Sequence, residues 1–487
     1  TSIAGAAPII GPIVAAIWGW LPALLWIIFG TIFIGAVHDL GALVASLRHQ
    51  GRGISDFLQD LIGKRAMMLM YLVVFFLLVL VSAVFVHVIA VLASAFPASV
   101  YSVWIEIPLA IIIGLMVHKK WKINIYIVSL IAVTIMYAVI ALGLRYPLAL
   151  DYKTWVYILI AYMLVAARLP VWLLVQPRDF INGLQLAVAM VVSTVGVIAL
   201  ALVGGGQIAA PAIRLAPEGA PPIWPFVMIT IACGAISGWH SIVGSGTTPK
   251  QLKNELDAKP VAYGSMLAEG YLAVIALLTA VVGLGVAGYT ESYAVWGAAA
   301  WPAIFANGGA TFLVPLGIPA VAGAAFFAVI AKSFAMTTLD SAMRFTRIAF
   351  AESAVSFKLP DIFRDRTVSL IPGALFIFYL AMTGYGMLLW PLFGAANQIL
   401  AGIALLAAAV FLKTMNRPTL HYLIPFAIMI ITSLAAMLHQ IITNYIPNQM
   451  WVLVFIGAVI SICGLAIVVI TLVTWREKAA KQLKETA

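Results

Sequence analysis

A histidine, three serines and two threonines fall between Ser237 and Lys250 (SGWHSIVGSGTTPK), inside an otherwise apolar run that begins near Pro222. On a helix, Ser237, Ser241 and Ser245 recur every fourth residue and His240 shares their side, so the run carries a polar stripe. Glycines and Pro249 weaken that helix. In lipid, such a stripe is tolerated only against other protein or a wet cavity. Hydroxyls there supply hydrogen bonds to a polar ligand, and a histidine adds a charge that changes near neutral pH. Packing is the plain alternative, since small and hydroxyl residues also join helices and Gly234 with Gly238 reads GxxxG. Packing accounts for the glycines and serines more easily than for His240.

Other ionisable residues sit at similar depth. His38 is ten residues from Arg48, Arg168 ten from Arg178, His240 ten from Lys250 and Glu269 ten from Lys259. At ~1.5 Å of rise per helical residue, each lies ~15 Å in, near the middle of a ~30 Å hydrocarbon core. Glu106 and Lys332 fall slightly beyond the centre, and Asp39 adjoins His38. Each would cost ~2.5–3.5 kcal/mol facing lipid, so all should point inward and find partners. Arg168 precedes a helix break and is the expected receiver of a substrate carboxylate, because a guanidinium forks onto one. His240 is the expected proton carrier, with Asp39 or His38 as relay. Ser237, Ser241 and Ser245 would add hydroxyl contacts to substrate, and Gly11, in the first broken span, would bring backbone to the site. For Glu106, Glu269 and Lys332, ion pairs that pin helices together are an equal alternative. His87 and His439 read as packing residues. Serines and broken-helix carbonyls are also hard-cation ligands, so sodium competes with the proton as coupling ion. No HExxH, GxSxG or Walker pattern occurs, which leaves no sign of ATP driving, a protease or a lipase. Neither an enzyme nor a cofactor is expected.

The elements that must hold these residues are membrane spans. The chain of 487 residues is 64% hydrophobic and 9% charged, with mean hydropathy +1.11; a soluble domain is nearer a quarter charged. Apolar runs give fourteen candidate spans: 1–18, 20–47, 66–96, 100–117, 123–144, 154–177, 183–205, 222–248, 260–288, 312–336, 367–385, 387–412, 419–441 and 450–475. The stretch 291–306 reads as an interfacial helix. Of 27 Lys and Arg, 22 fall on one side of this topology, including Arg178, Lys119, Lys120, Lys122, Lys478, Lys481 and Lys484, against Arg145, Lys153 and Arg214 on the other. The rich side is therefore cytoplasmic, and the net charge of +10 needs no nucleic-acid partner. Cys233 and Cys463 lie in apolar helices and suggest neither disulfide nor zinc. No signal peptide opens the chain, and the membrane-like start TSIAGAAP leads one to expect residues upstream.

Pro8 and Pro12 interrupt the first span, and Pro170 and Pro177 the sixth. Two broken spans five apart predict an all-α polytopic bundle with a five-plus-five inverted repeat. The expected transport core is 1–345, with repeats at about 1–145 and 153–340, followed by accessory spans and a basic cytoplasmic tail over 346–487. The central site is expected between spans one, three, six and eight.

AGAAPIIGPIVAA, GAVHDL, LLVQPRDFIN, ACGAISGWHSIVGSGTTPKQL, TTLDSAMRFTR and LWPLFGAANQILA, in that order, resemble the carbon-starvation protein A family of inner-membrane transporters. The resemblance runs from Thr1 to about Gly402 and implies uptake of peptides or pyruvate under nutrient limitation, with proton coupling for pyruvate. It also implies membership of the amino acid–polyamine–organocation superfamily, and importance at Pro8, Gly11, Pro12, His38, Asp39, Arg168, Pro170, Gln176, Arg178, Asp179, His240, Ser241, Ser245, Thr247, Thr248, Asp340, Arg344, Asn397 and Gln398. Family members carry a further N-terminal segment with paired histidines before the counterpart of Thr1. The resulting expectation is a secondary transporter in the bilayer that takes a small carboxylate-bearing substrate. An uncoupled channel and a sensor that binds without transport are the alternatives.

Overall fold

The computed structural model describes residues 4–118, 124–298 and 300–486. Lys119, Lys120 and Lys122 lie outside the described residues, as do the side chains of Lys478, Lys481 and Lys484. The chain is an all-α polytopic helical bundle; among the described residues the only β pairing is an isolated bridge, Glu218 to Val295.

Helix α1 (Ala7–Trp18) is followed by α2 (Trp20–Arg48), α3 (Ile54–Leu61), α4 (Lys64–Ala95), α5 (Pro97–His118), α6 (Ile125–Arg145), α7 (Tyr152–Ala166) and α8 (Val175–Leu202). After a long connection come α9 (Ile223–Thr230), α10 (Gly238–Gly244), α11 (Glu255–Gly283), α12 (Trp301–Leu313) and α13 (Ala320–Ser356). The chain ends with α14 (Val368–Met382), α15 (Gly386–Thr414), α16 (Leu420–Tyr445) and α17 (Trp451–Thr486). Ten of these are long and apolar enough to cross a membrane, and α1, α7 and α14 are shorter apolar helices. Each of the fourteen sequence-derived spans finds a counterpart, the eighth as the pair α9 and α10. The Trp/Ala-rich stretch contributes to α12, which is not among the spanning helices.

Helices α4 and α15 form the centre, with 89% of their most apolar windows buried against protein, whereas 22% of the α8 window is buried. This contrast reads directly as position: a helix apolar all round is either core or lipid-facing, and packing decides which. The long helix α13 packs along α4. Helix α2 and helix α11 each contain π turns, at Thr31–Gly35 and at Lys259–Gly264 and Thr279–Gly283. Helix α7 begins at an Asp151 cap whose carboxylate accepts from the Lys153 and Thr154 amides. The Thr154 hydroxyl, with that amide, holds the exposed Asp151 carboxyl below its usual range.

Two expectations fail on geometry. The sixth span is not one helix with a midplane break: α7 ends at Ala166, the chain turns through 167–174, and α8 starts at Val175. Pro177 sits in the first turn of α8, where a missing amide donor costs nothing. Ten residues across that turn do not rise 15 Å, so Arg168 is exposed on the turn, within electrostatic reach of Asp365. Arg178, placed at the cytoplasmic face by sequence, is fully buried. The eighth span is likewise not a continuous striped helix. It unwinds over 231–237, leaving Ser237 just before α10 and Ser245 just after it.

Candidate functional site

The unwound stretch is held by side chains from two neighbours. From α2, Trp26 Nε1 donates to Met228 O and Ile231 O, and Thr31 Oγ1 donates to Gly234 O at 3.0 Å. From α15, Trp390 Nε1 donates to Thr230 O and Gln398 Nε2 to Met228 O at 2.7 Å. Asn397 Oδ1 accepts from the Trp239 amide at 2.9 Å, and Asn397 Nδ2 donates to Ser237 Oγ. Broken backbone at membrane depth survives only when its polar groups are paired in this way. Gly11 belongs to the same construction. A Cβ there would lie 2.6 Å from Thr230 O, so the residue sets the approach of α1 to α9.

A cavity of about 10 Å³ adjoins the break, lined by Gly5, Ala7, Phe85, Cys233, Trp239 and Thr338 among others. That is about the space of one water. Its walls come from spans one, three, eight, ten and twelve; the sixth span, expected to contribute, does not reach it. A second cavity of about 370 Å³ lies at the Lys250 end of the bundle, between α3, α4, α13 and the turn after α10, with Asp56, Lys250 and Glu352 in its lining.

Beside the break, four ionisable side chains meet in the protein interior. Asp39 on α2 accepts from His38 Nδ1 at 2.8 Å through Oδ1 and from His240 Nδ1 at 2.9 Å through Oδ2. The other ring nitrogen of His240, Nε2, lies 3.1 Å from Glu269 Oε2 on α11, within ion-pair range though out of hydrogen-bond alignment. All four are buried. The chemistry follows from proton counting. With Nδ1–H given to the Asp39 carboxylate, a neutral His240 turns a lone pair toward Glu269. Two acceptors at that distance repel, so the contact requires one proton, on the imidazole or on the carboxyl. The sequence places His38, Asp39, His240 and Glu269 at about one depth, with helix pinning an equal alternative for Glu269, and only the fold sets Glu269 against His240.

The serines behave differently from the expected stripe. Ser237 bonds Asn397 and Cys233, Ser241 Oγ donates to Gly238 O, and Ser245 Oγ donates to Ser241 O while accepting from the Ile54 amide. Ser245 lines the larger of these two cavities, and Ser237 and Ser241 line neither.

A second buried cluster gathers residues that depth counting kept apart. Arg178 Nε donates to Glu106 Oε1 at 3.0 Å, and its NH1 donates to Asp340 Oδ2 at 2.8 Å and to the Tyr162 hydroxyl at 2.7 Å. Lys332 donates to Ser99 Oγ. Glu106 is thus an ion-pair partner, but of Arg178 rather than of Arg168 or Lys332. Among the described residues, no group of three or more His, Cys, Asp and Glu is arranged to hold a metal ion.

The model of the family described as carbon starvation protein CstA matches residues 1–295 and 285–436. The chain belongs to this family. Peptide transporter CstA of Bacillus subtilis is 31% identical over 99% of this chain and 88% of its own length. Peptide transporter CstA of Escherichia coli is 29% identical over 89% of this chain and 72% of its own length. The pyruvate/proton symporter BtsT of Escherichia coli is 28% identical over 85% of this chain and 69% of its own length. A manganese transporter of Eremococcus coleocola aligns over 98% of this chain and 95% of its own at TM-score 0.39 and 15% identity. The family match covers both buried clusters and the unwound segment.

Proposed function

We infer that this family member is a secondary active transporter of the cell inner membrane that imports a small carboxylate-bearing nutrient, a short peptide or pyruvate, together with protons. The names of its relatives, peptide transporters and a pyruvate/proton symporter, support the substrate class. The observation that carries the coupling is the His240–Glu269 contact, which requires a proton and lies beside a broken helix. Asp39 orients His240 and holds His38 in the same network.

The proposed framework is an inverted repeat in a different register from the one expected by sequence. An irregular short helix, a long helix with π turns, a short helix and a long buried helix occur as α1, α2, α3 and α4. The same order returns as α9–α10, α11, α12 and α13. The second unit then opens at Ile223, and α5 with α6 forms an insertion in the first. In this reading, substrate occupies an enlarged form of the cavity between α1, α4, α10 and α13, and alternating access joins it in turn to either side. Arg168 is too exposed for the carboxylate role, which passes to the amides and hydroxyls of the break and Thr338.

Uptake into proteoliposomes under an imposed pH gradient tests the coupling. Glu269→Gln and Asp39→Asn should each remove gradient-driven accumulation while leaving substrate-protected thermal stability measurable. Accumulation that follows a sodium gradient and ignores pH would overturn the proton assignment, and large unitary currents would favour a channel.

A further inference from the structure

Half of the buried side-chain polar atoms that lack a hydrogen-bond partner among the described residues fall in one seam. They are Ser102 Oγ on α5, Ser129 Oγ and Tyr137 Oη on α6, both amide atoms of Asn182 and of Gln185 on α8, and Ser333 Oγ, Asp340 Oδ1 and Arg344 Nε on α13. The seam lies between α5, α6, α8 and α13, around the Arg178 cluster and apart from the histidine network. Leaving a buried polar atom unpaired costs about 1–3 kcal/mol, so those along the seam that cannot reach one another call for another partner. Ordered water satisfies such groups where the site is polar. Asn182 and Ser333 lie close enough to hydrogen-bond the Glu106 carboxylate with small adjustments, and Tyr137 close enough to reach Gln185, so water is needed only for the remaining groups of the seam.

Charge gives the seam a second property. One guanidinium, Arg178, stands against two carboxylates, Glu106 and Asp340, and all three are fully buried. Around the pair stand Tyr162 from α7, Tyr137 from α6, Arg344 from the far end of α13, and Asp179, which adjoins Arg178 on α8 and accepts from Thr337 Oγ1 of α13. Arg344 is half-exposed and donates to the carbonyls of Ala166 and Leu169. Lys332 is turned to Ser99 at the opposite end. The buried triad alone therefore carries one uncompensated negative charge, a costly state in low dielectric. One proton on either carboxyl removes it.

We propose that the seam is hydrated and that the Glu106–Arg178–Asp340 cluster within it is a second proton-binding site, distinct from the one at His240. No bond changes other than transfer of one proton from water to a carboxylate oxygen. The site stands whether or not the transport reading does, because its test reads protonation directly.

Infrared difference spectroscopy on the membrane-reconstituted chain, recorded across a pH step in light and heavy water, detects the carbonyl band of a protonated carboxyl. The expected result is a band that persists in the Asp39→Asn, Glu269→Gln double variant and is lost in Glu106→Gln or in Asp340→Asn. Loss of every such band in the double variant would overturn the proposal, and so would a residual band indifferent to both seam substitutions. Should those variants fail to fold, Asn182→Leu keeps every charge. It should shift the residual band by removing the amide beside Glu106, and an unshifted band counts against the seam.

Discussion

His240 and Arg178 show how one side chain's meaning depends on what stands opposite. A histidine between two buried carboxylates can gain or lose a proton near neutral pH; an arginine between two buried carboxylates keeps its charge and acts first as a clamp. Removing the clamp leaves both acids buried and unpaired. Arg178→Ala is therefore expected to destabilise the protein by about 3–5 kcal/mol, seen as a large fall in melting temperature in detergent. Arg168→Ala, on an exposed turn, should change stability by no more than about 0.5 kcal/mol and leave uptake intact. A marked loss of uptake in Arg168→Ala with normal stability would restore it to the substrate path. Depth counting exchanged these two arginines because it assumed a rise through Pro170 and Pro177 that the turn at 167–174 cancels.

At the scale of elements, the broken helix is supported from outside. Its carbonyls are taken by Trp26, Thr31, Trp390 and Gln398, and its returning amide by Asn397. None of these partners is legible as such in a single sequence, because each lies more than 150 positions away along the chain. The break itself was legible in part, since glycines and prolines mark where helix is weak. Close approach to it is set by Gly11 on α1 and Gly394 on α15, where a Cβ would meet Ile229 O at 2.1 Å. Gly11→Ala should push α1 from α9 and cost about 1–3 kcal/mol by overpacking. Asn397→Leu should unpair the Trp239 amide and Ser237. A calorimetric or fluorescence melt of both variants checks this, and wild-type stability in either would show that the break holds itself.

For the whole molecule, topology is the firmest inference. The exchange of Arg168 and Arg178 leaves the basic excess on one side of the bundle unchanged, since one joins the surface as the other leaves it. Arg214, on the opposite side, donates to the carbonyls of Tyr293 and Ala294, and its own amide bonds Trp18 O at the end of α1. Both native cysteines are buried, so single surface cysteines report cleanly. Arg145→Cys is expected to react with an impermeant maleimide in intact cells and Arg52→Cys only after permeabilisation. The reverse pattern would invert the orientation.

The sequence by itself marked the solvent and most of the spans. Hydropathy and positive charge act locally, each residue against lipid or water, so no partner need be known. It also marked a costly set of buried ionisable groups, because the expense of charge in hydrocarbon does not depend on the fold. Only the tertiary structure decided who pairs with whom: Glu269 with His240, Arg178 with Glu106 and Asp340, Ser237 with Asn397 and Cys233, and Ser241 and Ser245 with nearby carbonyls. Those assignments rest on distances of a few ångströms between helices far apart in the chain, and turns such as 167–174 redirect the helices before any residue count can follow them.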